Sequence, residues 1–170
     1  MKFALFTKLD SNENNDHIFS VFKSLDKHQL DYDVDSQSFD LISKLDNYNG
    51  DFNFNKVEKL SNEYDFVISI GGDGTILRSA NEIGELSIPV IGLNKGRLGF
   101  LANSPIEMID SIIEKITNSN YRISERTIIQ VEFEGKTKNA LNEISISRKN
   151  TTSLITCLLY TSPSPRDTLL

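Results

Sequence analysis

The feature that most constrains the fold is an apolar segment that runs directly into a glycine-rich turn. Residues 66–70 read FVISI, and residues 71–75 follow as GGDGT. A nearly continuous apolar, β-branched run is typical of a strand that is covered on both faces. Residues 76–83 then show a helical spacing of apolar side chains. The segment therefore predicts a strand, a tight turn and a helix, which is the repeating unit of a parallel α/β sheet.

The other segments up to residue 118 also alternate between strand and helix patterns. Strand patterns cover 2–6, 32–34 and 88–93, and helical patterns cover 16–30, 39–45 and 56–64. Ser104, Pro105 and Glu107 have the spacing of a capping box with proline in the first turn, which predicts a helix that ends near residue 117. We expect residues 1–118 to form an α/β nucleotide-binding domain with a mostly parallel sheet.

The pattern changes after residue 120. Residues 128–133 and 137–147 alternate apolar and polar side chains around a turn at 134–136, which predicts an antiparallel β element. We expect residues 119–156 to be the beginning of an incomplete β-rich domain. Residues 157–167 resemble the in-frame translation of a transposase-type sequencing-library adapter, so we expect 157–170 to be a non-native tail. The alternative is a genuine tail rich in proline and serine.

Composition excludes several classes of protein. Eighteen basic and 24 acidic residues give a net charge of −6, which argues against a protein that binds duplex nucleic acid. No apolar run reaches the roughly 20 residues that a membrane-spanning helix needs. The single cysteine excludes a disulfide framework within the chain and a cysteine-rich zinc site, so we expect a reducing cytoplasm. A small anionic ligand remains possible, because local backbone dipoles can hold it.

The glycine-rich turn has the character of a phosphate-binding loop. Seven of the nine glycines lie between Gly71 and Gly99. At the carboxyl end of a parallel strand, Gly71, Gly72 and Thr75 would present backbone amides and the positive end of a helix to a phosphate. The loop matches neither the GxGxxG dinucleotide fingerprint nor the GxxxxGK[ST] phosphate loop. Those two mechanisms are therefore disfavoured.

Asp73 is unexpected in such a loop, because a carboxylate repels a phosphate. Two interpretations remain open from the residues alone. Asp73 accepts a proton from a hydroxyl group that attacks phosphorus, or it caps the helix or closes an Asx-turn.

Three motifs resemble those of the NAD kinase family. GGDGT at 71–75 is shared by NAD kinases, by diacylglycerol and sphingosine kinases and, with a small variation, by phosphofructokinases. NKGRLGFL at 94–101 resembles the NxGxLGFL segment of NAD kinases, and ALNE at 140–143 resembles their Asn-Glu motif. The order and spacing of the motifs are similar to those of bacterial NAD kinases over about 1–156.

The resemblance implies a reaction and a set of residues. The family uses ATP, or in some members other donors, and a divalent metal, here expected to be Mg²⁺, to phosphorylate the 2′-hydroxyl of the adenosine ribose of NAD. By this resemblance Asp73 is the proton acceptor, and NAD is bound by Asp73, Gly74, Arg78, Asn142 and Glu143. From the residues alone, a solvated charge on a helix is the favoured interpretation of Arg78, and Asn142 and Glu143 are an ordinary strand edge or turn.

Two points of the resemblance stay open. Phe100 matches an aromatic residue of the adenine pocket, although a core phenylalanine is the simpler interpretation. The glycine loop alone also fits a lipid kinase or a non-catalytic nucleotide-binding module. Members of the family are usually homo-oligomers, so we expect the same of the parent protein.

We expect a polypeptide of this sequence, made alone, to be inactive or aggregated. The family continues with a Thr-Gly-Ser-Thr-Ala-Tyr segment and most of a β domain, and nothing in 157–170 matches either. Residues 119–156 would then have unpaired strand edges and an uncovered apolar face. Expression trials with an assay for NADP check this expectation, and soluble protein that forms NADP would contradict it.

Overall fold

The computed structural model describes residues 1–8, 16–45, 48, 50–96, 99–141 and 143–145. Asn142, the segment 146–156 and the expected tail at 157–170 lie outside these residues. The strands in chain order are β1 (Lys2–Thr7), β2 (Asp31–Asp35), β3 (Lys56–Val57), β4 (Phe66–Ile70), β5 (Val90–Asn94), β6 (Ser104–Pro105), β7 (Ile129–Phe133) and β8 (Lys136–Ala140). The helices are α1 (Asp16–Lys27), α2 (Ser36–Ile42), α3 (Asp73–Ile83) and α4 (Ile109–Thr117), with a 3₁₀ turn at Ile106–Met108.

The first six strands form one sheet in the order β3-β2-β1-β4-β5-β6, and all of its neighbouring pairs are parallel. β7 and β8 form a separate antiparallel hairpin. The prediction of a Rossmann-like α/β sheet followed by a β element is therefore confirmed.

Alternating side chains of the central strands fill two apolar clusters, one on each face of the sheet. Phe3 and Leu5 of β1 lie in the cluster that includes residues of α1 and α4, whereas Ala4 and Phe6 lie in the cluster that includes Ile83 of α3. Every residue of β4 is buried. Burial on both faces explains why the sequence of β4 is nearly continuous in apolar residues rather than alternating.

The chain order creates a crevice between β1 and β4. From β1 the sheet grows to β2 and β3, and from β4 it grows in the other direction to β5 and β6. Ligands of open α/β sheets bind at such a switch point, outside the carboxyl ends of the strands. Gly71 and Gly72, which follow β4, lie at this edge.

The helix predicted at 56–64 is wrong. Lys56 and Val57 instead pair with Val34 and Asp35 of β2, and residues 58–64, all of them described, contain no helix. Val57, Leu60 and Tyr64 are all buried in the cluster that contains Ile83. Their spacing of three and four residues resembles a helix, but turns between them bring the same side chains to one face.

The capping box at Ser104 is also wrong. Ser104 pairs with Leu93 as part of β6, and its backbone is extended because a residue before proline avoids helical angles. Pro105 precedes the 3₁₀ turn, and no side chain caps that turn. The predicted helix itself is present and ends at Thr117.

Several other bounds differ from the predictions: the helix predicted at 39–45 is α2 at Ser36–Ile42, and the strand predicted at 88–93 is β5 at Val90–Asn94. α1 ends at Lys27 rather than near residue 30, because Gln29 adopts a φ of 54° that a helix does not allow. β8 ends at Ala140, and the described residues beyond it are not in a strand. Within the described part of the chain, none of the helices has the length and apolar character that crossing a membrane requires.

Candidate active site

The turn between β4 and α3 requires glycine at its first position. Gly71 has a φ of 148°, and its N–H donates to the carbonyl of Leu93 at 2.8 Å. A Cβ atom at Gly71 would lie 2.5 Å from Oγ1 of Thr75, which is too close for any side chain. Gly72 then precedes α3 as its N-cap residue, without a side-chain hydrogen bond. The backbone amides at the start of α3 thus face the carboxyl edge of the sheet.

Asp73 binds the loop that follows β5 rather than its own helix. Its Oδ1 accepts the N–H groups of Leu101 and Ala102, both at 2.9 Å, and its Oδ2 accepts the N–H group of Phe100 at 3.0 Å. The structural role considered from the sequence, a cap for α3, is therefore not observed, because Gly72 occupies the cap position.

These hydrogen bonds determine the charge of Asp73. The N–H groups of Ala102, Leu101 and Phe100 hold the pKa of the Asp73 carboxyl below its usual value, although partial burial opposes them. The group is therefore an ionised carboxylate at neutral pH. A carboxylate can accept about four hydrogen bonds, and among the described residues Oδ2 accepts one, which leaves it a lone pair for a further donor.

Two glycines allow the loop after β5 to approach α3 closely. A Cβ atom at Gly99 would overlap the carboxylate of Asp73, and one at Gly92 would lie 2.5 Å from Cδ1 of Ile76. Asn94 closes the base of the loop, because its side chain accepts the N–H of Gly96 at 2.8 Å and donates to the carbonyl of Ala102 at 3.3 Å. Glycines at 92 and 99 are therefore needed for the contact that Asp73 makes.

Phe100 is not a core residue. Its side chain is 96% exposed at the tip of the loop, which contradicts the simpler interpretation of its sequence position.

Arg78 is not a solvated helix charge. Its guanidinium donates to Oδ1 of Asp35 at 3.0 Å, to Oε1 of Gln37 at 2.7 Å and to the carbonyl of Thr7 at 2.9 Å. It also lies over the ring of Phe6, 5.4 Å from the centroid. About a quarter of the side chain, 26%, remains exposed. Asp35 was not predicted as a site residue; its sequence signal is an acid directly after the strand predicted at 32–34.

Glu143 lies across a cleft from α3. The cleft has a volume of about 430 Å³ and is lined by Leu77 and Asn81 of α3, by Ala140 at the end of β8 and by Glu143 beyond the hairpin. The structure therefore places Glu143 near the helix that begins with Asp73. Asn142 lies outside the described residues.

The described residues do not form a metal site made of protein groups alone. No group of three or more His, Cys, Asp or Glu side chains among them is arranged to hold an ion. The carboxylate at the loop, Asp73, is already bound to three amides.

We predict that Gly99→Ala breaks the contact between Asp73 and the loop, because the new methyl group would occupy the position of the carboxylate. The amides of Phe100, Leu101 and Ala102 should then exchange with solvent at least about tenfold faster in hydrogen-exchange experiments. Gly96→Ala is the matched control, because a Cβ atom there has no neighbour within 4 Å among the described residues. Unchanged exchange in Gly99→Ala would contradict the prediction.

The same contact should depend on pH. Because the pKa of Asp73 is lowered, the stabilisation is complete above the ordinary pKa of about 3.9 and is lost as the pH falls through the lower, folded value. The amide proton shifts of Phe100, Leu101 and Ala102, followed by NMR, should titrate together with a midpoint below about 3.9. A shared midpoint at or above that value would be inconsistent with this geometry.

Known proteins resemble this chain in sequence over most of its length. The family described as the ATP-NAD kinase N-terminal domain matches residues 15–121. The protein named NAD kinase of Christiangramia forsetii is 34% identical over 163 residues, which are 92% of this chain and 55% of that protein. The NAD kinase of Bacteroides fragilis strain ATCC 25285 is 36% identical over 162 residues, or 91% of this chain and 54% of that protein. The chain thus spans about half the length of these relatives.

A solved structure has the same fold. The crystal structure of yeast NADH kinase complexed with NADH is 18% identical in sequence and superimposes with a TM-score of 0.63. The match covers 83% of this chain and 46% of the yeast chain. With the family match over residues 15–121, these similarities establish that the chain belongs to the NAD kinase family.

Proposed function

We propose that the protein, at the full length of its relatives, is an NAD kinase. It transfers the terminal phosphoryl group of ATP to the 2′-hydroxyl of the adenosine ribose of NAD and produces NADP. The observation that carries the proposal is the carboxylate of Asp73 at the carboxyl end of β4, which is ionised and whose Oδ2 accepts a single hydrogen bond from the described part of the chain. Family membership supplies the identity of the two substrates.

Asp73 has the right properties to receive the hydroxyl proton. The 2′-oxygen of the ribose donates its hydrogen to Oδ2, forms a bond to the terminal phosphorus and displaces ADP as the bond between phosphorus and the bridging oxygen breaks. A phosphoryl transfer with a loose transition state needs little deprotonation of the nucleophile. A carboxylate of lowered pKa is therefore sufficient, and its three amide partners fix the direction of the remaining lone pair.

The loop before α3 is the proposed binding site for the phosphates. Gly72 and Gly74 are both exposed, and a Cβ atom at either would have no neighbour within 4 Å among the described residues. A phosphate can therefore approach this backbone, and the N-terminus of α3 favours its negative charge. A divalent metal, Mg²⁺ in our proposal, would be held mainly by the nucleotide phosphates and would neutralise their charge.

The remaining proposed contacts bind NAD. They are Gly74, Arg78, Asn142 and Glu143, with Phe100 against the adenine. The cleft supports the assignment of Glu143, which lines it together with Leu77 and Asn81 of α3. The division into an α/β domain at 1–118 and the start of a β-rich domain at 119–156, a homo-oligomeric parent and a cytoplasmic location belong to the same proposal.

Asp73→Asn tests the catalytic role. We expect kcat of the full-length protein to fall about 10²- to 10⁴-fold, the range typical of a lost general base. The amide oxygen can still accept hydrogen bonds, so calorimetry should show NAD affinity within about threefold of wild type. Asp110→Asn is the control, because Asp110 is exposed on α4 and pairs with Lys27.

Three results would contradict the proposal in different ways. Retention of kcat in Asp73→Asn would remove Asp73 from the chemistry. Binding of NAD by the wild type without formation of NADP would indicate a non-catalytic module. Phosphorylation of diacylglycerol in preference to NAD would indicate the lipid kinase that shares the glycine loop.

A further inference from the structure

Asp35 is a buried carboxylate outside the three motifs of the family. It is the last residue of β2, at the same edge of the sheet as the glycine loop, and only 5% of it is exposed. Its Oδ1 accepts the N–H of Gln37 at 3.2 Å, which caps α2, and its Oδ2 accepts the hydroxyl of Ser38. These hydrogen bonds to α2 therefore fix the orientation of the Asp35 carboxylate independently of its contact with α3.

The carboxylate of Asp35 in turn fixes Arg78. One guanidinium nitrogen of Arg78 donates to Oδ1 of Asp35 at 3.0 Å, and the other approaches Oδ2 at 3.5 Å. The first nitrogen also donates to Oε1 of Gln37 at 2.7 Å, and the second donates to the carbonyl of Thr7 at 2.9 Å. The Arg78 side chain is therefore held in one place by the ends of β1 and β2 and by the first turn of α2.

Asp35 and Arg78 form an ion pair that is more deeply buried than an ordinary surface pair. The side chain of Asp35 is 7% exposed and that of Arg78 is 26% exposed, so the pair is largely shielded from solvent. A buried carboxylate without its cation is costly, because desolvation is no longer compensated. An arginine without its carboxylate regains the many rotamers of a long side chain. Each group therefore depends on the other for a defined position.

We propose that Asp35 is a positioning residue for NAD, which acts by holding the guanidinium of Arg78 where the dinucleotide meets it. The inference rests on the proposed function, in which Arg78 contacts NAD. Asp35 itself does not touch the substrate. It removes the conformational freedom of Arg78, so that NAD binding does not have to order a mobile side chain.

A double-mutant cycle in the full-length protein tests this role. The variants are Asp35→Asn, Arg78→Gln and the double variant, each assayed for kcat and for KM of NAD and of ATP. Asparagine is a good N-cap residue, so Asp35→Asn removes the charge but keeps the cap of α2. We expect each single variant to raise KM for NAD about tenfold, the size of one lost charged hydrogen bond, with KM for ATP unchanged. The double variant should be no worse than Arg78→Gln, because the two residues act as one unit.

Asp40→Asn is the matched control. Asp40 lies on α2, five positions further along, and pairs with Lys56 at the surface, so its loss should leave both KM values unchanged. If Asp35→Asn does not fold, Asp35→Ser, which also keeps a capping oxygen, takes its place in the cycle.

The possible results distinguish a failure of the positioning role of Asp35 from a failure of the proposed function. An active wild type whose Asp35→Asn variant keeps its KM for NAD would overturn the positioning role, and so would two effects that multiply in the double variant. Loss of cooperative melting in both Asp35 variants would assign Asp35 to folding alone and would also overturn it. A wild-type protein that forms no NADP would instead contradict the proposed function.

Discussion

The candidate site depends on the hydrogen bonds between one carboxylate and three consecutive backbone amides. Asp73 begins α3, and the amides of Phe100, Leu101 and Ala102 belong to the loop after β5. The contact needs a position without a side chain at Gly99, and it keeps the carboxylate ionised. The direction of its unused lone pair therefore follows from the backbone of the loop.

The same helix is anchored on its other side by Arg78. Asp73 connects α3 to the segment after β5, whereas Arg78 connects it to Thr7 at the end of β1 and to Asp35 at the end of β2. The first turns of α3 thus contact the carboxyl ends of strands on both sides of β4. This arrangement gives the exposed backbone of Gly72 and Gly74 a rigid support at the crevice between β1 and β4.

Much of the fold was predicted from the sequence, because the strand and helix patterns of most segments agree with how those segments pack in the folded chain. β4 and α3 were predicted from a buried apolar run, a glycine turn and a helical repeat. The helix predicted at 56–64 was wrong because Val57, Leu60 and Tyr64 have helical spacing but reach the core from β3 and the turns that follow it. The capping box predicted at Ser104 was wrong because the pairing of Ser104 with Leu93 in the sheet overrides the capping signal.

The site was predicted less completely than the fold. Asp73 and Arg78 were identified by a motif, but their partners were not, since contacts between residues 27 or 43 positions apart leave no local pattern. Asp35 was not predicted at all, because an acid that caps a helix, as Asp35 does for α2, carries no sequence signal of a second role. The most direct test of the account is a structure of the full-length protein with NAD bound. The account predicts the 2′-oxygen of the adenosine ribose at about 2.6–3.2 Å from Oδ2 of Asp73. A bound ribose whose 2′-oxygen faces away from this carboxylate, with the hydrogen bonds to the loop intact, would contradict it.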